Sequence, residues 1–108
     1  MATATAMEPV IEPGVREELR RNDAEAAFRT ACDIVRASFP AMRAFRVGLL
    51  DDPDEDNRRW VMLEVCLPPS YPWETLHEEE MRFHEAMVKR VPLELNLLFG
   101  LHLDYVPE

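Results

Sequence analysis

Between Pro40 and Arg43 the spacing of apolar residues switches from helical to alternating, and that switch commits the chain to a mixed fold. Upstream, Ala24, Ala27, Phe28, Ala31, Ile34, Val35 and Phe39 share one face at about 100° per residue, with Glu25, Arg29, Asp33 and Arg36 opposite. The pattern predicts a helix from Asp23 to Phe39. Asn22 is placed to act as its N-cap, with Glu25 completing a capping box. Pro40 stops it, because proline cannot continue the hydrogen-bond ladder. Downstream, Phe45, Val47 and Leu49 alternate with Arg46, Gly48 and Leu50, which predicts a strand over residues 43–50.

An acidic turn, Asp51 to Asn57, separates that strand from a second over residues 58–67. There Val61, Leu63, Val65 and Leu67 occupy one face, and Trp60, Met62, Glu64 and Cys66 the other. So short a connection implies an antiparallel hairpin. A second long helix is predicted from Glu74 to Val91, stopped by Pro92. Its start is acidic and its end carries Lys89 and Arg90, as the helix dipole favours. Alternation resumes at Leu97, Phe99, Leu101, Leu103 and Tyr105, giving a third strand.

The order α-β-β-α-β predicts an α/β domain of the two-layer α+β kind. Placing the third strand beside the first makes every neighbouring pair antiparallel, in sheet order 2-1-3, with both helices on one face. The open face then carries Arg46, Trp60, Met62, Glu64, His102 and Asp104. Residues 1–13 have few apolar side chains and two prolines, and read as a flexible tail. Residues 14–108 read as a single domain. Val15 to Arg21 is a candidate for a short helical turn.

Of the 108 residues, 21 are acidic and 12 are Lys or Arg, a formal net charge of −9. An acidic body repels phosphate backbones and anionic lipid, so no nucleic-acid or membrane partner is expected. The Arg43, Arg46, Arg58 and Arg59 cluster shares the hairpin with Asp51 to Asp56, and reads as surface ion pairing. No apolar run approaches the roughly 18 residues of a membrane helix. The two cysteines, Cys32 and Cys66, have neither CxxC nor zinc-type His spacing. Free, buried thiols in a reducing cytoplasm are the expectation.

Chemistry-bearing patterns are sparse. His77, Glu80 and His84 fall within the apolar arc formed on the second helix by Trp73, Leu76, Met81, Phe83, Met87, Val88 and Val91. Polar groups in such a stripe need partners or an opening, so the three form a possible ligand-binding stripe. His77 and His84 lie about 10.5 Å apart along the axis, too far to converge on zinc. Glu80 and His84 alone do not make a site, so no metal is expected. Glu78-Glu79-Glu80 reads as a solvated face, since neighbours on a helix point about 100° apart. Ser70 and Cys66 have no nucleophile-elbow or triad context. Gly14, Gly48 and Gly100 are too scattered to cradle a phosphate. No catalytic residue and no cofactor are expected.

Leu67-Pro68-Pro69-Ser70-Tyr71-Pro72 resembles the corresponding strand-end segment of the ubiquitin-conjugating-enzyme and RWD families. The resemblance ends at Trp73. Those families continue with a further strand and another proline, this chain continues with an acidic helix, and no catalytic-cysteine context follows. The stretch is read as a stiff loop, whose aromatics and prolines expose apolar surface at low entropic cost.

These features favour a non-catalytic protein-interaction or regulatory module, an acidic accessory or antitoxin-like partner of a more basic protein, or a homodimer. The expected contact residues are Trp60, Met62, Arg46, Tyr71 and Trp73. Gly48 would make room for a large ring beside Trp60 and Met62. The alternative is a small enzyme or ligand-binding domain built on His77, Glu80 and His84.

Overall fold

The computed structural model describes residues 7–55 and 58–106. In chain order it contains β1 (Val10–Ile11), α1 (Val15–Arg21), α2 (Glu25–Ser38), β2 (Ala44–Asp51), β3 (Arg59–Leu67), α3 (Trp73–Arg90), α4 (Leu93–Asn96) and β4 (Phe99–Tyr105). The architecture is α+β, with a four-stranded mixed sheet in order β1-β2-β3-β4. Its centre is the antiparallel β2–β3 pair, from Ala44↔Cys66 to Asp51↔Arg59. Both outer pairs are parallel.

This overturns the expected three-stranded antiparallel sheet of order 2-1-3. The last strand lies beside β3, not β2, with Val61↔Phe99, Leu63↔Leu101 and Val65↔Leu103 in register. Parallel neighbours require a crossover of a dozen or more residues, and α3 with α4 supplies it. The ladder extends past both ends of β4. The Val61 N–H donates to the Leu98 carbonyl, and the Val106 N–H to the Leu67 carbonyl, each at 2.9 Å. The β2 edge left free is taken by β1, with Val10↔Arg46 and Ile11↔Val47. The Glu12 N–H then bonds the Val47 carbonyl at 2.9 Å.

Part of the stretch expected to be a flexible tail is therefore strand, and its residues 1–6 lie outside the described residues. Met7 and Ile11 pack against the core, and the Met7 carbonyl accepts a hydrogen bond from Arg36. The start of α2 also differs from expectation. Asn22 caps the end of α1 instead, its side-chain amide donating to the Glu18 carbonyl and carboxylate. Asp23 turns the chain with φ 53°, and α2 begins after Ala24 with no side-chain cap.

Strand alternation sorts the sheet into two faces. Phe45, Val47, Val61, Leu63, Val65 and Leu67 are buried. Val15 and Leu19 of α1, Phe28, Ile34 and Val35 of α2, and Leu76, Phe83 and Met87 of α3 join them in one core. The helices meet each other there too, with the Phe39 and Phe83 rings 5.9 Å apart. Leu101 and Leu103 are only half-buried, because β4 is an edge strand.

Candidate functional site

The uncovered sheet face holds three of the expected contact residues, and each has a neighbour. Trp60 is half-buried, with the Arg58 guanidinium 5.7 Å from its ring centre. Met62 folds over Gly100, where an added Cβ would lie 2.6 Å from its sulfur. Arg46 reaches Glu64 at 3.7 Å and the Cys66 sulfur at 3.5 Å. The space above Gly48 receives no aromatic ring. The Glu12 carboxylate occupies it, 2.7 Å from where a Cβ would stand. Polar and cationic side chains thus lie against Trp60, Gly48 and Cys66 on this face, while Leu50 on the same face stays exposed.

The other two expected residues sit at the start of α3 and part company. Tyr71 turns inward, its hydroxyl donating to Glu79 Oε2 at 2.9 Å. Burial, then that bond to a carboxylate, raises its phenol above the ordinary tyrosine value. The Glu79 carboxyl is buried, and its Oε1 has no hydrogen-bond partner. The Glu78-Glu79-Glu80 run is therefore not uniformly solvated. The signal was present in the spacing, since Glu79 lies three residues after Leu76 and four before Phe83, on the core side. Trp73 points outward, its ring centre 6.2 Å from that of His77.

The inward face of α3 comprises Leu76, Glu79, Phe83 and Met87. His77 and His84 are exposed and Glu80 partly so, with His84 Nε2 3.5 Å from Glu80 Oε2. His77 and His84 thus line solvent beside Trp73, with Glu80 at the rim. Met81 and Val88, expected to face the core, lie on the outer surface with them. The exposures are 66% for Trp73, 58% for Met81, 76% for Val88, and 73% and 61% for Leu93 and Leu97 at α4. Two shallow hollows run along this surface and meet at Val88. One, of ≈ 410 Å³, is lined by Met81, Arg82, His84, Glu85, Val88 and Lys89. The other, of ≈ 460 Å³, is lined by Val88, Val91, Leu93, Asn96 and Leu97.

A further cleft of ≈ 390 Å³ opens between residues 8–11 and α1 and α2. Ile11, Leu19, Phe28 and Cys32 are among its apolar lining, and Arg16, Arg29 and Arg36 alternate around it with Glu8, Glu25 and Asp33. Burial pushes the Cys32 thiol up to about 12, so it is a poor nucleophile at neutral pH. Both cysteines are free. Among the described residues, no three His, Cys, Asp or Glu side chains are grouped so as to hold a metal ion, and no helix is long and apolar enough to cross a membrane.

Comparison with known proteins finds no match to this chain among protein-family models, curated proteins or solved structures.

Proposed function

We propose that this chain is a non-catalytic protein-interaction module that acts by docking, as an accessory or antitoxin-like regulatory subunit. The observation that carries the reading is the outer surface of α3 and α4. Trp73, Met81, Val88, Leu93 and Leu97 are large apolar side chains left in water on consecutive elements. Single exposed apolar residues are common on any protein, but a grouped set with hollows between its members has the character of a contact surface. The sheet face around Trp60 is a weaker candidate, because Arg58, Glu12 and Arg46 already lie over it. The free, buried thiols suit a reducing compartment, and we place the protein in the cytoplasm.

A photo-crosslinking residue at position 88, introduced in the living source cell, tests the reading. Discrete protein adducts are expected there and not at Glu17, an exposed control on α1. Equal, diffuse labelling at both positions would remove the basis for the proposal.

A second reading, ligand binding, draws support from the Arg-rimmed cleft rather than from His77, Glu80 and His84. Arg16 and Arg29 beside its apolar side chains suit a small organic anion, against the three carboxylates that share the lining. Saturable binding of such anions, lost in Arg29→Ala, is the outcome that would favour it.

A further inference from the structure

The outer face of α3 has an order that its apolar content alone does not reveal. Trp73, His77, Met81, His84 and Val88 follow at intervals of four, four, three and four, and span an arc of about 80°. All five are exposed. The first eleven residues follow the four-four-three spacing of an eleven-residue repeat, which also gives the seam of a helix pair. Along one flank of this stripe run Glu78, Arg82, Glu85 and Lys89, within an arc of about 60°, and these four are exposed as well.

The flanking row alternates acid, base, acid, base at intervals of four, three and four. Against a second copy running the same way about a two-fold axis along the helices, the row meets the partner's other flank and not itself. Laid against a copy running the opposite way, with a two-fold axis between Phe83 and His84, every position meets its opposite. Glu78 faces Lys89 and Arg82 faces Glu85, and each pairing occurs twice. A two-fold axis perpendicular to the helix pair also brings this same flank of both helices together. The helix dipoles oppose favourably in that arrangement.

The same register interleaves the stripe. Along the shared axis the side chains alternate between copies as His77, Val88, Met81, His84, then His84, Met81, Val88, His77, with a rise of about 1.5 Å per residue. The two His84 rings meet at the two-fold axis, about 1.5 Å apart in level, and the other neighbours along the seam are about 3 Å apart. Trp73 of each copy falls about 6 Å beyond Arg90, the last residue of the other's α3, at the end of the helix near which Val88, Val91, Leu93 and Leu97 line a hollow. Tryptophan seated in such a pocket is a common energetic anchor of interfaces.

We infer that the occupant of this surface is a second copy of the chain, paired two-fold through antiparallel α3 helices with Trp73 as anchor. The inference rests on the interaction-module reading and names its partner. Sedimentation velocity on the full chain over a range of concentrations tests it, with charge reversal as the discriminating series. The chain is expected to form a dimer. Glu85→Lys places two lysine–arginine contacts across the axis and weakens the dimer about tenfold at low salt. Adding Arg82→Glu to the same chain exchanges the charges and restores the affinity, which a merely destabilised fold would not do. Trp73→Ala weakens the dimer more than Glu85→Lys does, with the circular dichroism spectrum unaltered.

A chain that stays monomeric up to about millimolar concentration, the weak end of measurable affinity, overturns the inference. A dimer indifferent to Trp73→Ala, or unrescued by the charge exchange, does so equally. Failure here is separable from failure of the module reading. Adducts at position 88 with a different protein, beside a monomeric chain in the centrifuge, would remove the self-association and leave the module.

Discussion

α2 and α3 cover the same sheet face, yet they dispose of their apolar residues differently. α2 buries Ala27, Phe28, Ala31, Cys32, Ile34 and Val35, and its opposite side is charged. α3 buries Leu76, Phe83 and Met87 and leaves Trp73, Met81 and Val88 outside. A helix that serves only the core needs one stripe of three or four residues every two turns. α3 carries more than that, and the excess forms a second stripe beside the first. The two helices therefore separate apolar content used for folding from apolar content left for contact.

The sharpest test of that separation is truncation on each stripe. Phe83→Ala, on the inner stripe, should cost about 3–5 kcal/mol by urea denaturation. A loss near zero would mean that α3 is rotated and the stripes are exchanged. Ile34→Ala in α2 should fall in a similar range, about 2–5 kcal/mol. Tyr71→Phe is expected to cost about 1–3 kcal/mol, because it leaves the buried Glu79 carboxylate with no hydrogen-bond donor. In a double-mutant cycle with Glu79→Leu, the pair should recover much of that loss. Additive costs would show that Tyr71 and Glu79 are not coupled.

Alkaline pH probes α2 more gently. The Cys32 thiol is raised from 9.0 to about 12 by burial, so the folded state holds a proton that the unfolded chain releases first. Stability from this group is complete below 9.0 and is lost as pH rises toward 12, by up to about 1.4 kcal/mol per unit. The raised phenol of Tyr71 acts in the same direction above its own ordinary value. Denaturation at pH 8 and pH 10 should show the decline, and Cys32→Ala should flatten it. The smallest effect belongs to the outer stripe. Val88→Ala, measured on dilute protein, should change stability by less than about 0.5 kcal/mol. A larger loss would place Val88 in the core and dissolve the contrast.

These distinctions were unevenly legible in the sequence. Pro40 and Pro92 marked the ends of both long helices, and alternation assigned Trp60, Met62 and Glu64 to one face and Leu63 and Val65 to the other. Alternation is silent about neighbours, however. A strand's pattern is the same whichever edge it joins, so nothing in residues 97–105 favoured β3 over β2. β1 has only Val10 and Ile11, too few to show a period, and its pairing depends on β2 having a free edge. On α3 a wide apolar arc was visible, but where the core ended within it was not. That boundary depends on how the helix meets Phe39 and the sheet. Asn22 suits an N-cap and an α1 terminus equally by composition, and the left-handed turn at Asp23 decides between them.

The sheet's order gives the chain a seam. Everything before the acidic turn, β1 through β2, lies on one side, and everything after it, β3 through β4, on the other. Each side is a strand, a helical connection and a parallel strand. Across the sheet, the eight residue pairs from Ala44↔Cys66 to Asp51↔Arg59 join them, while α2 and α3 close the joint beneath. The protein is in that sense two pieces of one polypeptide that meet along a line. Cut within Asp52 to Glu55, the halves are natural candidates for reconstitution from separately expressed fragments. Left uncut but shortened at that turn, two chains could exchange halves and satisfy every ladder between them.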